Sequence, residues 1–312
     1  MQLLRFADGS GWSLGAVTGS DGGVMSLPVA LRQLRQRGRL HGLSEQFLDL
    51  ISTDGRALLA CWPAVRAAVE LAAELDDGSA RVAENLRELR IGPFVPGPEK
   101  VLGVSYNYSA LASREGIGRS PEPVVFVKAP SSVTGAHDDI HVPPGLRHID
   151  FEAEVGILIG AVTRNVSPDA ARSCIGAYTI VNDMTAKILP RPGLDLATIA
   201  VRLKAIDEFA PVGAVVVTPE DLTDFSAVHV TCWVNTEQRQ HFPASDWVHT
   251  PAEVVAFASS FVTLQPGDLI SMGTSQGIGI TEIPPRLLSD GDVVETQLSG
   301  YPGTRNTMRF AP

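Results

Sequence analysis

The sequence predicts a β-rich α+β fold, in which a small N-terminal α/β domain precedes a larger strand-rich domain. Glycine and proline are plentiful, 29 and 22 of the 312 residues, and they fall between short apolar segments, as turns between short strands do. Helical periodicity is concentrated before residue 90, whereas short β-branched segments dominate after residue 100. The strict alternation of strand and helix that marks a doubly wound sheet is absent from the pattern.

The first hundred residues are expected to form the small domain. Residues 1–25 alternate in short segments broken by glycine-rich turns, which predicts two or three strands. Leucines then recur near helical spacing, and the Ala-rich stretch 62–75 predicts a helix. Residues 91–99 contain three prolines and two glycines, which disfavour regular structure. We therefore place a linker there, between domains at 1–95 and 100–312.

The larger domain is expected to consist mainly of strands joined by long irregular loops, a pattern that favours a mixed β-roll or barrel. A clear helix is predicted from about residue 250 to 260, because Thr250-Pro251-Ala252-Glu253 offers an N-cap, a first-turn proline and an early acid. The predicted strands are short, apolar and bounded by turn residues. They cover residues 101–104, 124–128, 152–159, 177–181, 214–218, 228–235 and 269–272.

Composition excludes several classes of function. The formal net charge of −10, with no compensating basic stripe, argues against nucleic acid as a partner. No apolar run approaches the roughly 20 residues of a membrane span, and the N-terminus lacks the pattern of a signal peptide, so a cytoplasmic protein is expected. Cys61, Cys174 and Cys232 lie far apart in apolar contexts and are interpreted as buried thiols in a reducing compartment.

An acidic cluster lies beside an apolar run in the middle of the chain. In one continuous strand Asp150, Glu152 and Glu154 would share a face, and that face becomes apolar in residues 155–160. Carboxylates at this spacing repel one another, and burial adds several kcal/mol per charge unless they are paired. A divalent cation would resolve both problems. A solvated strand end whose acids face water accounts for the triplet alone equally well.

A glycine-rich segment at residues 273–279 has the spacing of a dinucleotide-binding loop. Such a loop needs a following helix whose N-terminus holds the pyrophosphate. Here Ile283-Pro284-Pro285 breaks the chain almost at once. We therefore expect a turn or a pocket wall at these glycines rather than a nicotinamide site.

Six motifs follow one another in a distinctive order. They are the segment 100–108 ending in Asn-Tyr, the strand 123–128 ending in Lys, the acidic cluster with Val-Asn-Asp-Met-Thr-Ala at 181–186, Lys-x-x-Asp-x-x-x-Pro at 204–211, Pro-Gly-Asp at 266–268 leading to Gly-Thr at 273–274, and the turn at 288–292. Together they resemble the fumarylacetoacetate hydrolase family over about residues 100–300. The resemblance implies that family's mixed β-roll for the larger domain, and a homodimer.

The resemblance implies a metal site and a reaction. Glu152, Glu154 and Asp183 would be the metal ligands, and three hard oxygen donors without His or Cys favour Mg²⁺ or Mn²⁺ over Zn²⁺. The implied substrate is a small 2-oxo or 1,3-dicarbonyl acid resembling an acylpyruvate. Hydrolysis of its C–C bond would release an enolate that such a metal stabilises.

The resemblance also implies residues beside the substrate. Lys128 and Lys204 would be catalytic, adding positive charge next to the developing oxyanion. Asp150 is expected to be an outer-shell or surface acid rather than a ligand. The expected substrate-binding residues are Tyr108, Lys187, Gly273 and Thr274.

The sequence departs from the family where water is activated. Hydrolytic members carry a His three residues after the Tyr of the Asn-Tyr pair and a Glu three residues later, and these positions hold Leu111 and Arg114. Leucine cannot accept a proton, and losing a general base typically costs about 10²- to 10⁴-fold in rate. Glu115, one place further on, is the expected replacement base, with His137 and His141 as alternatives.

Three functions stay open at this point. C–C hydrolysis leads narrowly, because most relatives belong to that class. A lyase or isomerase (a decarboxylase, dehydratase or tautomerase) would need only the metal and enolate stabilisation. A non-catalytic metabolite-binding protein is third, because binding alone rarely requires an open cation site. Lys187 and Ser275 also depart from the family, which usually has Arg and commonly has Pro there, and Lys cannot replace Arg in a planar bidentate contact.

Overall fold

The structure is a computed structural model that describes residues 1–9, 11–19, 22–40, 42–114, 116–187 and 202–311. Within these ranges no helix has both the length and the apolar character needed to cross a membrane. The N-terminal elements confirm the predicted order of strands followed by helices. They are β1 (Gln2–Asp8), β2 (Gly11–Thr18), β3 (Gly23–Ser26), α1 (Leu27–Gln36), α2 (Glu45–Thr53), α3 (Gly55–Glu74), β4 (Arg81–Ala83) and β5 (Ile91–Gly92).

The remainder of the described chain is mostly strand, as expected. Its elements are β6 (Val101–Ser105), α4 (Ser109–Arg114), β7 (Val124–Lys128), β8 (Val133–Thr134), β9 (Ile140–Val142), β10 (Ile149–Asp150), β11 (Ala153–Ile159), α5 (Pro168–Arg172), β12 (Ile175–Asn182), β13 (Thr185–Ala186), β14 (Ala210–Pro211), β15 (Val216–Val217), β16 (His229–Val234), β17 (Glu237–Pro243), α6 (Pro251–Phe261), β18 (Leu269–Ser271), β19 (Val293–Leu298) and β20 (Thr304–Phe310).

A sheet of 11 strands runs through both parts of the chain, in the order β4-β3-β2-β1-β15-β12-β11-β18-β6-β7, with β5 also paired to β1. A second sheet has the order β17-β16-β19-β20-β9. The N-terminal strands join the large sheet where Gln2 pairs with Val217. Buried side chains from both parts also share the same two apolar clusters. The domain boundary near residues 91–99 stays a prediction, and the large sheet extends across it.

The predicted linker is more ordered than its prolines suggest. Ile91 pairs with Phe6 in the large sheet, and Phe94 and Val95 are buried. The backbone bends at residues 94–97 and again at Glu99. Proline removes backbone donors and so disfavours regular structure, but it does not prevent the apolar side chains between prolines from packing.

Helix ends follow the capping residues in the sequence. The predicted helix at 62–75 is the second half of α3, which begins earlier because the Asp54 side chain accepts hydrogen bonds from the amides of Arg56 and Ala57. The predicted helix near residue 250 is α6, and Thr250 with Glu253 forms its capping box. The glycine-rich segment after β18 leads only to a short 3₁₀ turn, Gly279–Thr281. That geometry agrees with the rejection of a dinucleotide loop.

The cysteines match the expectation only in part. All three are free thiols, but only Cys232 is buried, whereas Cys61 and Cys174 are partly exposed. Cys61 lies on α3 and Cys174 directly precedes β12. Burial raises the pKa of the Cys232 thiol far above its ordinary value, so this side chain behaves as an apolar core residue.

The acidic cluster does not lie on one continuous strand. Asp150 ends β10, which pairs with β13, and β11 begins only at Ala153. Strand β11 lies between β12 and β18 and is buried on both faces along its whole length. Burial therefore does not alternate along β11, and the expectation of one shared acidic face is wrong for Asp150.

Candidate metal centre

Two adjacent strands bring the three predicted ligands together. Glu152 and Glu154 flank the first residue of β11, and Asp183 directly follows β12. These strands pair with Ala153 opposite Asn182, and the Asp183 amide donates to the Glu152 carbonyl at 2.8 Å. One ligand oxygen from each of the three residues lies within 4.8 Å of the others, and all three side chains are buried. The structure thus assembles the triad that the sequence predicts.

Buried hydrogen bonds fix the orientation of the carboxylates. Glu154 Oε2 accepts from the Ser271 hydroxyl at 2.6 Å and from the Gly273 amide at 2.7 Å. Gly273 has a φ of +90°, and a Cβ there would lie 2.7 Å from the Val104 carbonyl, so only glycine brings this amide so close. Asn182 Oδ1 accepts from the Glu152 amide at 3.0 Å.

Three ammonium groups surround the carboxylates. Lys204 Nζ lies 2.7 Å from Glu152 Oε2 and 2.5 Å from Asp183 Oδ2. Lys128 Nζ, fully buried, lies 2.7 Å from Asp183 Oδ1 and donates to the Met184 carbonyl at 3.2 Å. Lys187 Nζ lies 2.9 Å from Glu152 Oε1. Each ammonium therefore offsets part of the repulsion among the buried acids.

The ionisation of the site is set by the balance between burial and pairing. Burial alone would raise the pKa of Glu152, but Lys187 and Lys204 bring that pKa well below its ordinary value. Burial raises the pKa of Glu154 well above its ordinary value, and the charge of Asp183 raises it further. Burial disfavours the charge on Lys204, yet Asp183 and Glu152 raise its pKa above the ordinary value. Glu154 is consequently the carboxylate with the least compensation.

The donor set fits a hard divalent cation. All three ligand groups are carboxylates, the donors that Mg²⁺ and Mn²⁺ prefer. Asp183 Oδ1 has no well-directed hydrogen bond although it faces Lys128, and burial followed by the charge of Asp183 raises the pKa of Glu154. A cation held by Glu152, Glu154 and Asp183 would supply the charge that Glu154 lacks.

A cavity of about 340 Å³ opens onto the triad, a size suited to a small organic acid. Lys187, Lys204 and Thr274 line it, as expected for residues beside a substrate. A larger cavity of about 790 Å³, near Leu86 and Tyr301, contains none of the triad residues. We assign the chemistry to the smaller cavity because it holds the ionisable cluster.

Two predicted residues lie behind the cavity wall instead. Lys128 is fully buried and does not line the cavity, so its charge reaches the site through Asp183. Gly273 also does not line the cavity, and its amide is already bonded to Glu154. Both support the ligand carboxylates, and their expected roles beside a substrate stay predictions.

Tyr108 lies in the apolar core, contrary to the expectation that it binds substrate. Its side chain is fully buried, its ring packs edge-on against Phe242, and its hydroxyl donates to the Ala244 carbonyl at 3.1 Å. Tyr106 lines the cavity instead and is partly exposed. Its φ of 54°, in the left-handed region, ends the extended backbone directly after β6.

A buried glutamine that sequence reasoning missed positions Thr274. Gln240, on β17 of the second sheet, is 1% exposed and accepts from the Ala153 amide at 3.0 Å. Its Nε2 donates to Thr274 Oγ1 at 2.9 Å, and the Thr274 hydroxyl donates to the Ala153 carbonyl at 2.9 Å. The Thr274 hydroxyl proton is therefore already engaged, and the side chain is held against the residue between two metal ligands.

Asp150 is fully buried, so it is not the surface acid that was one of the two expectations. Its carboxylate accepts from the amides of Phe151 and Gly279 at 3.0 and 2.7 Å, and from Ile280 at 3.0 Å. Burial raises its pKa. Asp150 thus fixes the 3₁₀ turn that borders the cavity and stands outside the ligand triad.

The lid position is occupied by an apolar side chain. Leu111, on α4, is buried and lines the cavity, and Arg114 donates to the Thr281 carbonyl. The expected replacement base, Glu115, lies outside the described residues. His137 borders the larger cavity, and His141 is an exposed side chain bonded to Glu208 at 3.0 Å. No histidine lines the smaller cavity among the residues that the structure describes.

Comparison with known proteins agrees with the motif order. Residues 100–309 match a family model that is described as fumarylacetoacetate (FAA) hydrolase C-terminal. The chain belongs to the fumarylacetoacetate hydrolase family. Solved structures of this family share its fold over the whole chain. The fumarylacetoacetate hydrolase of Exiguobacterium antarcticum is 26% identical with a TM-score of 0.77, and both chains are covered completely.

Relatives within the fumarylacetoacetate hydrolase family carry different reactions in their names. The human mitochondrial oxaloacetate tautomerase FAHD2B is 30% identical over 65% of this chain and 64% of its own, slightly less than two thirds of its length. The 2,4-didehydro-3-deoxy-L-rhamnonate hydrolase of a Sphingomonas species is 32% identical over 67% of this chain and 72% of its own. Maleylpyruvate hydrolase of Sphingobium sp. SYK-6, solved with manganese(II) and pyruvate, is 26% identical with complete coverage and a TM-score of 0.73.

Proposed function

We propose that this chain is a divalent-metal-dependent enzyme that interconverts the keto and enol forms of a small 2-oxo acid. The observation that carries the proposal is the buried triad of Glu152, Glu154 and Asp183 in a small cavity that also holds two lysines. Manganese(II) and pyruvate together in one relative's structure support a cation and a 2-oxo acid at such a site.

The chemistry divides between the cation and the chain. Mg²⁺ or Mn²⁺, when bound by the triad, would polarise the 2-oxo group. Lys204 and Lys187 hold positive charge at the cavity wall, where it stabilises the negative oxygen of an enolate. Enolisation breaks one C–H bond at C3, forms the C2–C3 double bond and moves the proton to the C2 oxygen. No water molecule is consumed.

Keto–enol tautomerisation suits this cavity because it needs no activated water. Leu111 fills the position of the family's water-activating His, and neither His137 nor His141 borders the cavity. A relative named oxaloacetate tautomerase supports the same reaction class. Decarboxylation and dehydration, which the sequence also left open, would use the same enolate stabilisation.

C–C hydrolysis is the second candidate. Three of these relatives are named as hydrolases, and Glu115, the replacement base that the sequence suggests, lies outside the described residues. Hydrolysis would break the bond between C3 and C4 of an acylpyruvate, with water adding its hydroxyl to C4 and its proton to C3. It therefore requires a base that activates water, whereas tautomerisation requires only a group that carries a proton between C3 and the C2 oxygen.

One experiment separates the two candidates. The protein is incubated with enol-oxaloacetate and with acetylpyruvate, each with Mg²⁺, with Mn²⁺ and with EDTA. Metal-dependent acceleration of enol-to-keto conversion, without acetate appearing from acetylpyruvate by NMR, supports the tautomerase. Metal-dependent appearance of acetate and pyruvate supports the hydrolase, and no metal-dependent conversion of either acid would refute the proposal.

The biological setting is also a proposal. The sequence favours a homodimer in the cytoplasm, whereas a relative is named as mitochondrial. Light scattering of the purified protein tests the dimer, and fractionation of cells tests the location.

A further inference from the structure

The cavity at the triad has an apolar side whose chemistry restricts the substrate. Besides the triad and the lysines, six apolar side chains contribute to its lining. They are Val104, Leu111, Phe126, Leu203, Ile278 and Ile280. The carboxylate and keto oxygen of a 2-oxo acid, together with the cation, contact only the polar part of the cavity. The apolar side chains would therefore contact the remainder of the substrate.

The positive charges that line the cavity are already committed to the triad. Lys187 Nζ lies 2.9 Å from Glu152, and Lys204 Nζ lies 2.7 Å from Glu152 and 2.5 Å from Asp183. Arg114 follows Leu111 by one helical turn, but it donates to the Thr281 carbonyl and does not line the cavity. Within the described part of the lining, no further cation is available to pair with a second substrate carboxylate.

The apolar wall is held in place from both sides. Two residues before α4, the helix that carries Leu111, the buried Asn107 anchors the chain, because its side chain bonds the His249 backbone and the Met272 carbonyl at 2.8–3.1 Å. Across the cavity mouth, the Ile280 amide is bonded to the fully buried Asp150. A substrate carboxylate against this wall would be desolvated without a partner, whereas a methylene there gains from leaving water.

We propose that the substrate carries an apolar acyl chain rather than a second carboxylate, and that Leu111 determines this specificity. The inference rests on the proposed function, because it assumes a 2-oxo acid bound at the triad. Replacement of the family's His by Leu111 thus removes a base and at the same time adds apolar surface. The substrate class is a mono-acidic 2,4-dioxo acid with a short alkyl tail.

A matched substrate pair tests the proposal on the full chain loaded with Mn²⁺. Butanoylpyruvate and succinylpyruvate have equal numbers of carbon atoms and differ in a terminal methyl or carboxylate. Loss of the enol absorbance, corrected for the uncatalysed rate, and release of pyruvate by NMR together report either reaction. We expect kcat/KM for butanoylpyruvate to exceed that for succinylpyruvate by about 100-fold or more, the scale of an unpaired buried carboxylate.

Chain length and ligand binding give independent measures. Butanoylpyruvate should exceed acetylpyruvate by about 15-fold in kcat/KM, because each buried methylene contributes about four-fold. Calorimetry with 2-oxopentanoate and 2-oxoglutarate, which also match in carbon number, should give tighter binding of the mono-acid whether or not turnover occurs.

Variants at one helix assign the preference to Leu111. Leu111→Arg should reverse the ratio in favour of succinylpyruvate, whereas Ser113→Arg places the same charge on the exposed side of α4 and should leave the ratio unchanged. Leu111→Gln serves if the arginine variant does not fold, and it should reduce the preference for the butanoyl chain.

The outcomes separate the inference about the apolar tail from the proposed enzymatic function on which it rests. Metal-dependent turnover of succinylpyruvate at least as fast as butanoylpyruvate would overturn the apolar-tail inference and leave the proposed function standing. An unchanged ratio in folded Leu111→Arg would overturn the role of Leu111. Absence of metal-dependent turnover with all three acids and with enol-oxaloacetate, together with no binding of 2-oxopentanoate, would overturn both proposals.

Discussion

Lys204 Nζ lies 2.5 Å from Asp183 Oδ2 and bridges from there to Glu152, so an ammonium stands between two of the three predicted metal ligands. Asp183 and Glu152 raise the pKa of Lys204 against the opposing effect of burial, which keeps this side chain charged. The same ammonium has two roles in the proposed account. It offsets carboxylate repulsion in the metal-free protein and stabilises an enolate in the working enzyme.

Removing that charge should separate stability from catalysis. Lys204→Met is expected to lower the rate of enol–keto conversion by about 10²- to 10³-fold, the cost of losing one preorganised stabilising group. It should also lower the free energy of unfolding without metal by up to about 3–5 kcal/mol, because two buried carboxylates each lose one of their two ammonium partners. Thermal unfolding with and without Mn²⁺ should show a larger metal-dependent rise in Tm than in the unmodified protein.

Lys100→Met is the matched control. Lys100 Nζ pairs with Asp268 Oδ2 at a distance of 3.1 Å, and this ion pair does not include any residue of the triad. It should lose stability without gaining a larger response to Mn²⁺. An equal Mn²⁺ response in Lys204→Met and in the unmodified protein would argue against a compensating role for Lys204.

Metal affinity should rise with pH through the titration of Glu154. The pKa of this carboxyl is raised by burial and by Asp183, so it keeps its proton to a higher pH than an ordinary glutamate does. Mn²⁺ binding must release that proton, and affinity therefore increases until pH exceeds the raised pKa. Calorimetry over a range of pH, in two buffers of different ionisation enthalpy, should report up to about one proton released per ion, with less release as the pH rises through the raised pKa.

The same shift fixes the sign of the stability change. A carboxyl whose folded pKa is raised stabilises the folded state below its unfolded pKa, and this contribution is lost as pH rises through the folded pKa. The metal-free protein should therefore lose stability as pH rises through the titration of Glu154, and Glu154→Gln should remove that dependence. Proton release that is equal in Glu154→Gln and the unmodified protein would contradict the assignment.

Gln240 should act as a positioning residue for Thr274 and Ala153. Gln240→Leu removes hydrogen bonds to both and is expected to cost about 1–3 kcal/mol of stability, because buried partners lose their bonds. We also expect kcat to fall by about 10- to 100-fold, since small displacements of catalytic groups are costly. Gln238→Leu, an exposed glutamine on the same strand, is the control. A folded Gln240→Leu protein with unchanged kcat and KM would show that Gln240 is only structural.

Restoring the family's dyad should add hydrolysis. Leu111→His with Arg114→Glu supplies a proton acceptor at the cavity wall and should raise acetylpyruvate cleavage by about 10²-fold. Leu111→Asn with Arg114→Gln is the control, since it has similar polarity but no group that takes a proton at neutral pH. Equal cleavage rates in the two folded double variants would refute the interpretation that this chain lacks a general base at position 111.

Parts of the site could be read from the sequence because their signals are local. Glu152, Glu154 and Asp183 lie next to apolar strands that pair with one another, and buried acids in such a position need a partner. The capping residue Thr250 fixed the start of α6 in the same local way. Local patterns thus predicted which three acids lie together, and most elements of the larger sheet.

Other parts depend on long-range geometry. Gln240 reaches Ala153 from a strand of the second sheet, 87 residues away in the chain, and nothing in its own segment signals that contact. On an ideal strand Tyr106 and Tyr108 would point to the same face. Tyr106 instead has a left-handed backbone conformation directly after β6, and it lines the cavity while Tyr108 is buried in the core. In the same way, β10 ends at Asp150 and β11 begins at Ala153, so strand alternation does not predict how Asp150 is oriented relative to Glu152 and Glu154.

Calorimetric titration of Mn²⁺ tests the central claim most directly, because every proposed step depends on a cation at the triad. The unmodified protein and Glu122→Ala, which removes an exposed acid, should each bind Mn²⁺ in the presence of pyruvate. Glu152→Ala, correctly folded, should show no binding at this site. Equal Mn²⁺ affinity in Glu152→Ala and the unmodified protein would contradict the assignment of the metal centre.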